Sequence, residues 1–201
     1  MGVALLRYDD SVLPYVASVY MNKTDATWDR VYKIIGRRED SCLEFGHAIF
    51  EIRSSLVVRD HLARYRVASM AAAGLRYNEP ADFVVPPGLS DEAAKILGDA
   101  YRAAEAAYAD MRDEDAKKEV ARYLIPCGVE VRYLLAFNLR SLAKDVFPQR
   151  LWSPGAQPET RYTVALMAQQ IFGRNPRLWH VVRRTYGNGV TEEVEANAAG
   201  V

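Results

Sequence analysis

Over residues 43–52 the chain alternates with a period of two, with Leu43, Phe45, His47 and Ile49 on one side and Glu44, Gly46, Ala48, Phe50 and Ile52 on the other. Apolar residues occur on both sides, which predicts a strand buried on much of both faces. The alternation returns over 129–137: Val129, Val131, Tyr133, Leu135 and Phe137 face one way, Glu130, Arg132, Leu134 and Ala136 the other. Elsewhere the period is helical. Residues 9–37 read as two short helices broken near Asn22-Lys23-Thr24. Thr24 or Asp25 would cap the second, in which Trp28, Val31, Tyr32 and Ile35 recur at helical spacing. Ser54 or Ser55 precedes a helical stripe of Leu56, Val57 and Leu62. After an extended stretch at 82–87, Ser90 caps a long helix, with Asp91 and Glu92 at its positive end. Its buried stripe is Ile96, Leu97, Ala100, Tyr101, Ala104, Tyr108 and Met111. A further helix starts near Asp115 and must end before Pro126, since proline disfavours helical geometry in the residue before it. Asn138 is a natural N-cap for the segment that follows it, and 149–158 reads as a loop. Helices over about 159–172, and from Asn175-Pro176 to Gly187, complete the pattern. The tail from Thr191 is polar and small and should fray.

Half of the 201 residues are apolar, enough for a single domain over 1–201 to bury a core without disulfides or metal. Lys+Arg and Asp+Glu balance at 26 each, which removes any global electrostatic case for binding nucleic acid or a membrane surface. No window reaches the roughly 18 apolar residues of a membrane span, and the first residues lack a basic segment followed by an apolar run, so a cytoplasmic protein is expected. Cys42 and Cys127 lie far apart and the three histidines form no i,i+4 pair, which points to reduced thiols and no metal site.

Charge becomes informative locally. Between Arg53 and Arg76 there are five arginines, no lysine and one acid, Asp60. Guanidinium is planar, permanently charged and binds phosphate bidentately. Arg64 and Arg66 flank Tyr65, and at a helix end they would diverge toward two anions. Ala68, Ser69, Ala71, Ala72, Ala73 and Gly74 follow, leaving room for a ligand to approach backbone N–H groups. A solvated helix face with its arginines paired to acids, and close helix packing at the small residues, explain the same composition.

Residues 64–77 resemble the signature of flavin-dependent thymidylate synthases, Arg-His-Arg, seven residues, then Ser, commonly extended as Arg-His-Arg-x-Ala-Ser-x-Asn-Glu-x-Ser-x-Arg-Tyr. Four further segments fall in the family's order: Ser41-x-x-Glu44, Ala121-Arg122, Asn138-x-Arg140-Ser141-Leu142, and Arg150 upstream of Ser153 and Ala156-Gln157. Together they cover roughly residues 38–185. The resemblance implies an α+β fold of the thymidylate synthase complementing protein type, an antiparallel sheet core flanked by helices. It implies FAD as cofactor, a uridine nucleotide as substrate, methylenetetrahydrofolate as carbon donor, NADPH as reductant, and a homotetramer with shared active sites. By similarity His61, where the family usually carries Gln, would bind the nucleotide with Arg64, Ala72, Gly74, Leu75, Arg76, Arg122 and Arg150. Arg150 would be catalytic, stabilising negative charge on the uracil ring as C5 becomes nucleophilic. Ser41, Glu44, Arg64, Tyr65, Arg66, Asn138, Arg140 and Lys144 would contact FAD. For Asn138, Glu44 and Arg122 a plain cap, a strand charge and an ion pair with Glu119 are the competing roles.

The departures from the pattern cluster in the active site. Tyr65 replaces the middle His, Ala71-Ala72 stand for Asn-Glu, and Gly74 for the motif serine. Residues 39–45 replace a His-x-Ser/Thr-Pro-Phe-Glu-His pattern, and Pro154-Gly155 stands where the family has His. No side-chain hydroxyl at position 74 can attack uracil, and neither Cys42 nor Cys127 lies in an evidently electropositive loop. Smaller side chains enlarge the pocket, which would admit a ribose 2'-hydroxyl, as in a uridylate C5-methylase of nucleoside-antibiotic biosynthesis acting on UMP, dUMP or both. A catalytically inactive flavin- or nucleotide-binding homologue is the alternative. The retained Arg64, Arg66, Arg76, Arg122, Arg140 and Arg150 favour an altered substrate.

Overall fold

In the computed structural model of the chain, which describes residues 1–189 apart from Tyr77 and Ala81, four antiparallel strands form the core. They are β1 (Gly2–Asp9), β2 (His47–Ser55), β3 (Ala68–Ala72) and β4 (Glu130–Asn138), in the order β1-β2-β4-β3. The last residue of the expected signature, Tyr77, and the tail from Thr191 lie outside the described residues. Register sets which side chains share the core: Ala48 pairs with Phe137, Phe50 with Leu135 and Ile52 with Tyr133, all buried, while Met70 of β3 extends the row beside Leu135. The other face carries Glu51 and Arg132, joined by two hydrogen bonds of 2.9 and 2.7 Å, next to half-buried Ile49 and partly exposed Leu134. Strand β2 is thus buried on one face, not on much of both, because the helices packed against the sheet cover a single side.

It also begins later than the alternation suggests. Residues Ser41–Phe45 form a 3-10 turn that drives Cys42 and Leu43 into the core. Gly46 follows because a Cβ there would lie 2.7 Å from Leu139 Cδ1 and 3.1 Å from the Asp9 carbonyl. Strands β1 and β3 are absent from the sequence reading. β1 carries an irregularity between Leu5 and Arg7 that breaks its alternation. β3, Ala-Ser-Met-Ala-Ala, has little intrinsic strand preference and is held by its ladder to β4. The β1 edge is closed by Gln170, whose amide accepts from Leu5 N (2.5 Å) and donates to Val3 O (2.6 Å).

Helices α1 (Leu13–Tyr20) and α2 (Trp28–Gly36) are the expected short pair, although Thr27 holds the cap position of α2 and Asp25 pairs with Arg30 at 2.7 Å. Helix α3 (Leu56–Leu62) is capped by Ser55, whose Oγ accepts from Val58 N. It stops at Leu62, so 63–67 is a loop leading into β3. Helix α4 (Asp91–Asp113) starts on Ser90 as expected, yet of its predicted stripe only Tyr101 and Tyr108 are buried, and Ile96 is 63% exposed. It rests on a small footing, with Tyr101 stacked on Phe83 at 4.3 Å. In place of a full helix from 115 there is one turn, α5 (Lys118–Ala121), and a 3-10 turn, Arg122–Leu124. Asn138 caps α6 (Leu139–Ser141), which widens into a π-helix, Leu142–Leu151, that runs into the expected loop. Helices α7 (Pro158–Phe172) and α8 (Pro176–Tyr186) follow, with Phe147, Trp152, Phe172 and Trp179 interlocked at ring separations of 5.4 to 5.8 Å. No helix of the described residues is long and apolar enough to cross a membrane.

Candidate functional site

The early end of α3 makes the site. Leu62 is anchored in the core, and the chain then turns outward so that Arg64 and Arg66 are exposed on either side of half-buried Tyr65. The Tyr65 ring packs edge-on against Phe137 at 6.2 Å. Its hydroxyl accepts from Arg150 Nε (3.1 Å) and donates to Gln149 Oε1 (3.3 Å). Facing this loop, Ser141 at the end of α6 and Asp145, Gln149 and Arg150 of the π-helix form one wall, since i→i+5 bonding places residues four to five apart on one side. Between loop and helix lies a cavity of about 380 Å³. Among the described residues neither Arg64 nor Arg66 has a hydrogen-bond or ion-pair partner. Burial raises the Tyr65 hydroxyl above the usual tyrosine range, against the opposing pull of Arg150. His61, on the last turn of α3, is half-buried with Nδ1 2.8 Å from Thr160 Oγ. Burial, then Arg150 and Arg64, hold its imidazolium below the ordinary histidine range.

Of the residues expected around FAD, Arg64, Tyr65 and Arg66 line this cavity. Glu44, Arg140 and Lys144 are brought together elsewhere, around a carboxylate the sequence reading did not single out. Asp40 is 4% exposed and receives Arg140 Nε (2.8 Å), Tyr186 Oη (2.7 Å) and Lys144 Nζ (3.3 Å), and Arg140 also holds Glu44 at 2.6 Å. Burial pushes Asp40 upward, but Tyr186, Arg140 and Lys144 together outweigh it and keep the carboxyl below its usual range. Ser41 begins the adjacent 3-10 turn. Asn138 is spent as a cap, its Oδ1 accepting from Ser141 N at 2.8 Å.

The nucleotide set is divided. Arg64 and Arg150 stand with Tyr65, which packs on Phe137 near the Asn138 end of β4, whereas Gly74, Leu75 and Arg76 follow Ala72 and β3 to the opposite end, where Ala73 N donates to Arg132 O. The five residues of β3, Ala68–Ala72, at about 3.3 Å each, put roughly 16 Å of strand between the Arg64 loop and the segment that holds Gly74 and Arg76. Arg76 pairs with Glu119 at 3.0 Å and, with Arg112, Lys117 and Lys118, borders a second basic hollow of about 420 Å³. Exposed Arg122 stands on the 3-10 turn directly after α5, so its segment lies on this side too, and Glu119 pairs with Arg76 in its stead. At Gly74 an added Cβ would meet nothing within 4 Å, and its carbonyl accepts from Asn78 Nδ2 at 2.9 Å. The five arginines of 53–76 therefore serve several places, with Arg59 paired to Asp60 at 2.7 Å. Cys42 cannot stand in for a missing nucleophile: it is buried, and burial, with Asp40 adding, pushes its thiol up to about 11.

Gln149, Thr160, Asp40 and Tyr186 were not singled out from sequence, and Gln157 only as a matching position. The available signal was the Gln157-Pro158 pair, a cap followed by proline like Asn175-Pro176, which makes Gln157 accept from Thr160 N.

Compared with known proteins, residues 7–177 match the family model described as thymidylate synthase complementing protein. The chain is 32% identical over 147 residues to the flavin-dependent thymidylate synthase of Sulfurisphaera tokodaii, covering 71% of this chain and 56% of that protein. It is 30% identical over 144 residues to that of Saccharolobus solfataricus, covering 69% and 55%. The chain thus spans just over half the length of these relatives. The crystal structure of the UMP/dUMP methylase PolB from Streptomyces cacaoi bound with 5-Br UMP shares its fold, with a TM-score of 0.76 at 19% identity over 92% of this chain and 94% of that one. A family model matched along most of the chain, on an antiparallel sheet of the same architecture, places this protein in the thymidylate synthase complementing protein family.

Proposed function

We propose that the protein methylates C5 of a uridine monophosphate, UMP, dUMP or both, using FAD, with methylenetetrahydrofolate as carbon donor and NADPH as reductant. The observation that carries the reading is the cavity between Arg64-Tyr65-Arg66 and the π-helix, where two guanidiniums without carboxylate partners among the described residues face a third, Arg150, which lies over the Tyr65 ring and bonds its hydroxyl through Nε. Such a set binds phosphate and stabilises negative charge on a uracil ring. Arg150 is the catalytic residue of this reading. The same unpaired donors fit the diphosphate of a dinucleotide, so Arg64, Tyr65 and Arg66 would hold FAD, with Ser41, Glu44, Asn138, Arg140 and Lys144 beyond them. When bound, that group supplies hydride chemistry that no side chain offers.

The 16 Å division of the nucleotide residues fits a homotetramer in which Arg76, Gly74, Leu75, Ala72 and Arg122 of one copy complete the Arg64, His61 and Arg150 site of another. The open space at Gly74 suits a substrate bulkier than the deoxyribonucleotide, such as UMP. An inactive homologue is the second reading, favoured by the absence of a hydroxyl at position 74 and the inert thiol of Cys42. Both are tested with one flavin-loaded preparation given UMP or dUMP, methylenetetrahydrofolate and NADPH. The expected outcome is a yellow protein that forms 5-methylated nucleotide. A colourless protein that FAD cannot reconstitute overturns the first reading, and bound flavin without methyl transfer to either nucleotide selects the second.

A further inference from the structure

Thr160, wholly buried in the first turn of α7, settles the state of His61. The Thr160 hydroxyl has one hydrogen, and it is committed: Oγ lies 2.8 Å from Gln157 Oε1, an oxygen that only accepts. The orientation of that amide is fixed in turn, because the Thr160 backbone N–H donates to the same oxygen at 2.8 Å. Thr160 Oγ can therefore only accept from His61, so the proton sits on Nδ1 and Nε2 keeps a lone pair. Among the described residues Nε2 has no partner. The charged groups acting on the ring are Arg150 of the π-helix, Arg64 of the loop, Asp60 of α3 and Glu159 of α7; burial and the two arginines prevail over the two carboxylates and disfavour the imidazolium.

Guanidiniums only donate. A uridine nucleotide brings donors of its own beside the reacting ring, the imide N3–H and the ribose 2'-hydroxyl, and these need an acceptor. We propose that His61 is that acceptor, an imidazole locked by Thr160 and Gln157 with its proton on Nδ1, presenting Nε2 to the N3–H or the 2'-hydroxyl of the bound nucleotide. The proposal rests on the uridylate reading above.

Its test has a readout that does not depend on nucleotide. In the full-length protein labelled with 15N-histidine, the His61 signals, assigned by their loss in His61→Gln, should show a protonated Nδ1 and a bare Nε2 at neutral pH. The opposite tautomer, or an imidazolium, overturns the lock. Calorimetric titration with UMP, dUMP and 3-methyl-UMP then identifies the donor: loss of the 2'-hydroxyl implicates the ribose, blocking N3–H the base. His61→Leu should weaken the nucleotide carrying the matched donor about tenfold, the worth of one hydrogen bond, while His61→Gln, which keeps an acceptor, stays within about threefold. Equal weakening for all three ligands overturns the acceptor role. Wild-type affinity should fall as pH drops through the His61 transition, whereas His61→Gln follows only the phosphate, whose second pKa is about 6. An affinity that rises on acidification more in wild type than in His61→Gln overturns it as well. If no nucleotide binds although the tautomer is as expected, the uridylate reading and the ligand fall together, and the lock survives. Thr160→Val should mix the tautomers; a failure of this variant to fold leaves the His61 pair as the decisive comparison.

Discussion

Among the described residues Arg150 makes one hydrogen bond, from Nε to the Tyr65 hydroxyl, so both terminal nitrogens can donate in parallel to a planar acceptor. A lysine retains the charge but not the fork. Arg150→Lys should lower kcat/KM for nucleotide about 100-fold and Arg150→Ala about 1000-fold, the range found when one preorganised donor to a developing anion is removed. Steady-state kinetics checks this, and a lysine variant within twofold of wild type would remove Arg150 from the chemistry. At this scale the sequence reveals residue types whose chemistry is intrinsic. Arg64 stood out because guanidinium recurs without lysine over 53–76 and binds phosphate bidentately, and Arg150 because its position matches the family motif. Thr160 did not, since its importance comes only from standing opposite His61, 99 positions away in the chain.

Among the elements, the caps at Ser55, Ser90, Asn138 and Asn175 were legible because a cap is a bond to a backbone N–H three residues ahead, and local sequence contains both partners. Asn138 carries two possible roles that substitution separates. Asn138→Ala should cost about 1 kcal/mol in denaturant unfolding, and Asn138→Asp should keep the cap within about 0.5 kcal/mol. If the side-chain amide also donates to flavin, Asn138→Asp weakens flavin binding despite its intact stability, measured by titrating the apoprotein with FAD. Equal flavin affinity in the two proteins leaves Asn138 as a cap alone. The elements that escaped were those made by partners. β3 is a strand because β4 offers it a ladder, and the π-helix keeps Pro148 inside it, where proline removes a backbone donor and a sequence reader expects an ending.

For the molecule as a whole, Asp40 is a joint: it ties the 3-10 turn to Arg140, Lys144 and Tyr186, and so to the first turns of the π-helix and to α8. Its carboxyl titrates lower folded than unfolded, so it adds stability above the unfolded value near 3.9 and loses it as pH falls through the lower folded value. Unfolding free energy should therefore drop below about pH 5 more steeply in wild type than in Asp40→Asn, measured by urea denaturation at a series of pH values. Identical slopes would show that the joint is not coupled to folding.

The division of the nucleotide residues has its own test. Arg150→Ala and Arg76→Ala should each be nearly inactive, but mixed and allowed to exchange subunits they should regain about a quarter of wild-type activity, the share of randomly assembled sites with both arginines intact. No recovery in proven mixed oligomers would place each site within one chain.

By itself the sequence determined the α+β class, two of the four strands, the main helices with the caps at Ser90, Asn138 and Asn175, and the family, because periodicity, capping and a collinear motif are properties of neighbours along the chain. The tertiary structure alone decided that β2 hides one face, that Ala-Ser-Met-Ala-Ala is a strand, and that Arg140 and Lys144 attend Asp40. It also decided that Arg64 and Arg76, twelve residues apart, stand at opposite ends of a sheet. Those facts depend on which distant segments meet, and burial, ladder bonding and charge pairing act through space without regard to separation along the chain.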